Sequence, residues 1–371
     1  MKTYLVTGAA GFIGANFVKY MLKKYDDIAI VILDKLTYAG NLGTIKEELK
    51  DSRVEFVRGD IANAELVSNI FARREIDYVV NFAAESHVDR SITNPQLFLQ
   101  TNILGTQNML ECAKKAWTTG KDDKGYPTYL PGKKFLQVST DEVYGSLTKD
   151  FDVPQPLHIE DENVRRVVKG RTKIQTYGRT FFTEETPLDP RSPYSSSKTG
   201  ADLIVRAYHE TYKMPVNITR CSNNYGPYHF PEKLIPLMII SAMADRPLPV
   251  YGAGKNIRDW LHVKDHCAAV DLILRNGRSG ALYNIGGHNE YANIDIVRMI
   301  LSAMRKPESL ISFVADRAGH DLRYAIDPSK ITAELHCQPQ KSFRDGLQDV
   351  IAWYAENEAW WQPLLKRAEL T

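Results

Sequence analysis

Tyr4-Leu5-Val6-Thr7-Gly8-Ala9-Ala10-Gly11-Phe12-Ile13-Gly14 opens the chain with a short apolar strand pattern and three glycines spaced three residues apart. After it Phe12, Ile13, Phe17, Val18, Met21 and Leu22 recur at helical spacing as far as Tyr25. The order is strand, tight turn, helix. A turn of this kind lets the backbone approach a pyrophosphate, and the helix start offers N–H groups and the positive end of its dipole. Residues 28–33 form a nearly continuous apolar run, as expected of a strand covered on both faces, and end at Asp34, 20 residues past Gly14. A carboxylate there can accept hydrogen bonds from both ribose hydroxyls and would repel a 2′-phosphate, which favours NAD over NADP. Lys35 follows it directly.

Working outward, the rhythm repeats. Residues 54–57 read as a strand leading to Asp60 and Ile61, 64–73 as a helix, 78–83 as a strand ending in Ala83 and Ala84, 95–117 as one long helix, and 135–139 as a strand. A helix from Tyr194 to Tyr212 and a sixth strand over 216–221 complete the alternation, which predicts an α/β, Rossmann-type, doubly wound parallel sheet. The chain has 371 residues, 43% hydrophobic and 25% charged, and these values exclude a disordered or disulfide-scaffold class. A formal charge of +2 argues against nucleic acid or an anionic membrane as partner, so an anionic ligand must be held locally. Cys112, Cys221, Cys267 and Cys337 lie far apart without a C-x-x-C pair, which points to no metal site and to a reducing, cytoplasmic setting. The N-terminus reaches glycine too early for a signal peptide, and no 18-residue apolar run follows.

Two segments interrupt the alternation. Residues 118–134 are polar and rich in turn formers, and 147–191 carry four prolines with basic residues at Arg165, Arg166, Lys169, Arg171 and Lys173. The second is long enough to be an insertion or lid. The expected domains are a dinucleotide-binding domain over 1–222, to which 256–277 return, and a smaller substrate lobe made of 223–255 and 278–371.

Tyr194-Ser195-Ser196-Ser197-Lys198 places a phenol and an ammonium at i and i+4 of one helix face. A nearby cation favours phenolate, so such a tyrosine can act as general base to an alcohol. Spacing alone is weak evidence, because Tyr20/Lys24, Tyr129/Lys133 and Tyr251/Lys255 share it. Position singles out Tyr194: its helix follows the strand that ends in Ser139-Thr140-Asp141-Glu142-Val143-Tyr144-Gly145, and both motifs can meet at the strands' carboxyl ends. Two adjacent carboxyls, Asp141 and Glu142, are a candidate acid/base pair. Neighbours on a strand point to opposite faces, so both reach one ligand only where the strand breaks, which Tyr144-Gly145 would permit.

TGAAGFIG (7–14), YSSSK (194–198) and NNYGP (223–227) resemble the markers of the extended short-chain dehydrogenase/reductase superfamily. DKLTYAGN (34–41), AAESHVDRSI (83–92), STDEVYG (139–145), RCSNNYGPYHFPEKLIP (220–236), RDWLHVKDH (258–266) and AGHDLRYAID (318–327) resemble its dTDP-glucose 4,6-dehydratase family. The resemblance implies dehydration of dTDP-glucose to dTDP-4-keto-6-deoxyglucose by NAD-mediated oxidation at carbon 4, loss of water across carbons 5 and 6, and hydride return to carbon 6. It implies catalytic roles for Thr140, Asp141 as acid, Glu142 as base, Tyr194 and Lys198. It implies NAD contacts from Gly8, Gly11, Phe12, Ile13, Gly14, Asp34, Lys35, Leu36, Thr37, Asp60, Ile61, Ala83, Ala84, Glu85, Ser86, Thr101, Tyr194, Lys198 and Asn224. Substrate contacts would come from Ser86, Thr140, Asn223, Lys233, Leu234, Pro249, Val250, Tyr251, Arg258, Asn293 and His320. Arg258 also makes sense as a bidentate partner for the diphosphate. A homodimer built on the helices near 95–117 and 194–212 is a further implication. The alternatives on the same fold are a UDP- or CDP-sugar dehydratase, a UDP-sugar epimerase or decarboxylase, and a non-catalytic nucleotide-sensing protein. The 52-residue separation from Glu142 to Tyr194 is longer than most members of the family carry.

Overall fold

Seven strands form the main sheet of the computed structural model, which describes residues 1–167, 175–316 and 319–368. Lys169, Arg171 and Lys173 of the basic run lie outside the described residues. In chain order the first six strands are β1 (Lys2–Thr7), β2 (Ile28–Asp34), β3 (Val54–Arg58), β4 (Tyr78–Asn81), β5 (Lys134–Thr140) and β6 (Val216–Cys221). Across the sheet the order is β3, β2, β1, β4, β5, β6 and then the strand Leu282–Ile285. β1 pairs in parallel with β2 and β4, β2 with β3, and β4 with β5. This is the doubly wound order, whose reversal between β1 and β4 opens a crevice at the strands' carboxyl ends. Helices α1 (Phe12–Lys24), α2 (Ala64–Arg73), α3 (Thr106–Trp117) and α4 (Pro193–Tyr212) connect the strands. Leu5, Val31, Val79, Phe135 and Val216 from the sheet pack with Met109, Leu110, Trp117 and Val205 from the helices in one buried core.

The chain divides into two compact units. The first is 1–143, 188–220 and 270–283; the second is 144–187, 221–269 and 284–371. The second has its own core, in which Tyr225, Ile239, Trp260, Ile296, Phe343 and Tyr354 are buried. Its three-stranded sheet has the order Asn223–Tyr225, Ile257–His262, Glu290–Ala292.

Several sequence expectations need correction. Residues 256–269 belong to the second unit, because Ile257–His262 pairs with the two short strands just named and not with the main sheet. The helix over 95–117 is not regular: Pro95–Phe98 is α-helical, Leu99–Gly105 is π-helical, and α3 follows. β4 stops at Asn81, two residues early. The polar segment 118–134 forms an antiparallel hairpin, Thr118–Lys121 with Pro127–Tyr129. Within 147–191, Gln155–Pro156 pairs with Gln175–Thr176, and Glu162–Val167 is a short helix.

Candidate active site

Gly8 sits at φ +66°, and a Cβ there would lie 2.7 Å from the Ala83 amide nitrogen. A Cβ on Gly14 would lie 2.5 Å from Gly8 O and 2.8 Å from Ala9 Cα, so the turn and the helix touch backbone to backbone. Gly11 caps α1 without a side-chain hydrogen bond, and no acidic residue occupies the first turn. The helix thus carries no carboxylate of its own in the turn where a diphosphate would sit. Asp34 closes β2, nearly buried; its Oδ2 accepts from the Ala10 N–H at 2.9 Å and its Oδ1 from the Leu36 N–H at 2.7 Å. Burial raises its pKa and the two backbone donors oppose that rise. Lys35 turns to Asp60, with Nζ 2.7 Å from Oδ2.

The ends of β1 and β4 are tied by a buried polar chain. Thr7 Oγ1 donates to Asn81 Oδ1 at 2.5 Å and accepts from the Ala83 N–H, and Asn81 Nδ2 donates to Gln137 and Thr106. Beyond it Glu85 is held reciprocally by Asn102, whose Oδ1 accepts from the Glu85 N–H at 2.9 Å and whose Nδ2 donates to the Glu85 carbonyl at 3.0 Å. Asn102 Nδ2 also reaches Ser197 Oγ at 2.8 Å. Sequence reasoning passed over Asn102, although a polar residue between apolar Leu99 and Ile103 is a visible signal. The π-helical turn carries it beside Thr101, and such turns concentrate at functional sites.

Ser192 caps α4. Its Oγ accepts from the Ser195 N–H and Ser195 Oγ accepts from the Ser192 N–H, both at 3.0 Å, with Pro193 at the first helical position. This fixes the first turn, where Tyr194 lies 8% exposed with Phe98 edge-on at 6.3 Å. Lys198, 4% exposed, donates from Nζ to the Val138 carbonyl of β5 at 2.6 Å. The ammonium therefore pins the tyrosine's helix to the strand that delivers Thr140. Other Tyr-x-x-x-Lys pairs differ: Lys24 meets Tyr20 OH at 2.9 Å on the exposed end of α1, and Lys133 turns to Asp77 while Tyr129 OH donates to the Tyr212 carbonyl. One turn beyond Lys198, Asp202 accepts from Arg220 Nε at 2.9 Å, both groups buried.

β5 ends at Thr140, one residue past the strand read over 135–139, and the break expected at Tyr144-Gly145 is made by Asp141–Tyr144, a 3₁₀ turn. In such a turn successive residues project about 120° apart instead of 180°, so the acidic pair need not face opposite ways. Thr140 Oγ1 donates to Asp141 Oδ1 at 3.2 Å and accepts from the Glu142 N–H at 3.3 Å. Asp141 is buried at 2% exposure, whereas Glu142 is half-buried. The five residues assigned catalytic roles therefore all belong to the first unit, with Lys198 hydrogen-bonded to the strand that Thr140 closes.

In the second unit, Asn224 Nδ2 donates to the Ser222 carbonyl and its Oδ1 accepts from His266 Nδ1 at 2.9 Å. Pro249 and Tyr251 alternate with a buried Val250, whose side chain belongs to the core. Tyr251 faces the edge of His320 at 6.2 Å, and His320 Nδ1 lies 2.6 Å from Asp316 Oδ1. Lys233 precedes the helix that Leu234 opens, and Asn293 opens another with a buried Oδ1 that no described side chain or backbone group satisfies. Arg258 lies under the Tyr324 ring at 4.0 Å and donates to the Asp321 carbonyl at 3.0 Å. Among the described residues no group of histidine, cysteine and carboxylate side chains could hold a metal, and no helix is long and apolar enough to cross a membrane.

Residues 4–286 match the profile of the NAD dependent epimerase/dehydratase family. The chain belongs to that family. It is 45% identical to a dTDP-glucose 4,6-dehydratase of Escherichia coli over 97% of its own length and 96% of the relative's. It is likewise similar in structure to a dTDP-glucose 4,6-dehydratase of Bacillus anthracis solved in complex with NAD, with TM-score 0.82 and 45% identity over 98% of this chain and 100% of that one. The dTDP-glucose 4,6-dehydratase of Streptomyces venezuelae, solved with NAD bound, gives 0.83 and 42% over 98% and 99%. The glycine cradle, a start of α1 with no acidic residue in its first turn and the strand-end Asp34 fit NAD as cofactor.

Proposed function

We propose that this chain is a dehydratase that converts dTDP-glucose to dTDP-4-keto-6-deoxyglucose. The observation that carries the reading is Thr140-Asp141-Glu142 on a strand-end 3₁₀ turn, tied through Lys198 to the helix of Tyr194, in a chain 45% identical to such enzymes along nearly its whole length. NAD, when bound, would supply a reversible hydride acceptor, taking the hydride of carbon 4 and giving it back at carbon 6, where a proton returned to carbon 5 completes the 4-keto-6-deoxy product. Tyr194, favoured as phenolate by Lys198, takes the proton of the carbon-4 hydroxyl, and Thr140 hydrogen-bonds that oxygen. Once carbon 4 is a ketone, the carbon-5 proton is acidic. Glu142 removes it while Asp141 protonates the leaving carbon-6 hydroxyl, so the bond to oxygen breaks and water departs. Buried Asp141 and half-buried Glu142 occupy unlike surroundings, as one protonated and one ionised carboxyl require. In the second unit Arg258 engages the diphosphate, with Tyr251, Asn293 and His320 around the rest of the nucleotide sugar.

The protein acts as a homodimer in the cytoplasm on this reading. Leu99, Leu104 and Leu203 are 47%, 58% and 50% exposed on the π-helical turn and α4, apolar surface that a second copy would cover. All four cysteines are free thiols.

Glu142→Gln tests the assignment. It should oxidise dTDP-glucose, so that the absorbance of reduced nicotinamide rises and persists, without forming the 4-keto-6-deoxy product. Product formation at the unmodified enzyme's rate would refute the role of Glu142. No such signal with dTDP-glucose, but turnover of UDP- or CDP-glucose by the unmodified enzyme, would move the substrate to another nucleotide.

A further inference from the structure

Arg323 is among the largest fully buried side chains of the described residues, and it pairs with a carboxylate as buried as itself. Its Nε donates to Glu290 Oε2 at 2.8 Å and its Nη2 to Glu290 Oε1 at 2.7 Å, the two-pronged geometry that fixes a guanidinium in direction as well as position. The remaining donors go to residues 148–180: Nη1 to the Thr180 carbonyl at 2.8 Å and the Thr148 carbonyl at 3.3 Å, and Nη2 to Thr176 Oγ1 at 3.2 Å. Glu290 in turn accepts from Thr176 Oγ1 at 2.8 Å and the Tyr177 N–H at 3.0 Å. The long connection after Glu142 is thus gripped near both its ends by one ion pair.

The backbone around Arg323 has a second task. The Ile257 N–H donates to the Leu322 carbonyl at 2.8 Å, and the Tyr324 N–H to the Ile257 carbonyl at 3.1 Å, so 322–324 runs as an extra strand against the segment that carries Arg258. That segment presents the Asp321 carbonyl and the Tyr324 ring to the Arg258 guanidinium, and Tyr324 OH donates to Asp321 Oδ2 at 2.6 Å. Glu290 and Tyr291 pair in register with Asp259 and Arg258 from the other side.

We infer that Arg323 and Glu290 are positioning residues for binding of the nucleotide-sugar diphosphate, acting through Arg258, whose guanidinium is braced by the strand that their ion pair holds down. This deepens the reading of the site given above and rests on it, since it takes Arg258 to hold the diphosphate. It also gives Thr148, Thr176, Tyr177 and Thr180 a function: they satisfy the ion pair whose direction sets Arg258.

The experiment uses the NAD-loaded enzyme. Arg323→Lys keeps the charge and loses the fork. Gly178→Ala keeps both charged partners and presses a methyl group toward Arg323 Nη1, where a Cβ would lie 2.7 Å away. Both should raise KM for dTDP-glucose and Kd for dTDP by five- to tenfold while kcat and NAD affinity stay within twofold. Adding either change to Arg258→Lys should raise KM no further than Arg258→Lys does alone. Unchanged KM and Kd in folded Gly178→Ala, or losses that multiply with that of Arg258→Lys, would overturn the inference. An unchanged KM in Arg258→Lys itself would instead overturn the assignment of the diphosphate to Arg258. Gly178→Ala disturbs the guanidinium without removing a buried partner, so the inference stays open to refutation even if Arg323→Lys fails to fold.

Discussion

His266 is fully buried, and its neutral form is the one the protein accommodates: burial pushes its pKa down to about 3 from the ordinary 6.5. Nδ1–H donates to Asn224 Oδ1, an orientation consistent with Asn224 Nδ2 donating to the Ser222 carbonyl. A histidine whose folded pKa is depressed contributes stability above the unfolded pKa, and that contribution is lost as pH falls, because only the unfolded chain takes up the proton. Between pH 6.5 and pH 5.0 the loss is 1.5 pH units at about 1.4 kcal/mol each, or ~2 kcal/mol for this one side chain. His266→Asn keeps an N–H near the Nδ1 position and removes the titration. Urea unfolding at a series of pH values from 7.5 to 4.5 should then show the variant losing stability with a slope shallower by about one proton, ~1.4 kcal/mol per pH unit, below pH 6. His229, held down to about 3 by burial, and Asp259, raised by burial to about 6, bend the curve in opposite senses but are common to both proteins and cancel in the difference. Equal slopes in the two proteins would refute the reasoning, since a solvent-accessible His266 would take up its proton in both states.

Gly14→Ala places a methyl group against Gly8 O and Ala9 Cα, backbone atoms that cannot rotate away, so NAD affinity should fall at least tenfold by fluorescence titration; binding within twofold of the parent would show that the turn can open. Asp202→Ala strips the partner from buried Arg220 and should lower the unfolding free energy by about 3–5 kcal/mol, with Asp202→Asn losing less; a shift under 1 kcal/mol in Asp202→Ala would mean that Arg220 reaches water in the native protein.

What was legible in the sequence was arrangement that is local along the chain. Gly8, Gly11 and Gly14, Asp34, and the Tyr194/Lys198 pair each depend on residues within a few turns of one another, so their spacing carries their meaning. Sheet membership is another matter. Ile257–His262 is buried throughout although Arg258, Asp259 and His262 make up half of it, and so mixed a run does not say which sheet will take it. The form of the break after Thr140 was equally hidden, because Asp141, Glu142, Val143 and Tyr144 fit a strand end and a 3₁₀ turn alike; in the folded chain Thr140 Oγ1 closes the turn locally, donating to the Asp141 carboxylate and accepting from the Glu142 N–H.

The buried polar contacts were the least legible, and they organise the two units. Thr7 meets Asn81 across 74 residues, Glu85 meets Ser197 through Asn102, and Arg323 reaches back to Thr148 across 175. Each partner alone reads as a solvated residue of ordinary type. Only when the sheet is closed does each become a buried group that must be satisfied, at a cost of about 1–3 kcal/mol if it is not, and more where it is charged. That cost explains why such contacts hold functional backbone in place: Asn102 cannot let go of Glu85, nor Glu290 of Arg323, without stranding a polar group in the interior. In this protein the residues assigned to bind and react stand at strand ends and turns, and the stiffness of those ends comes from partners that a reading of motifs passes over.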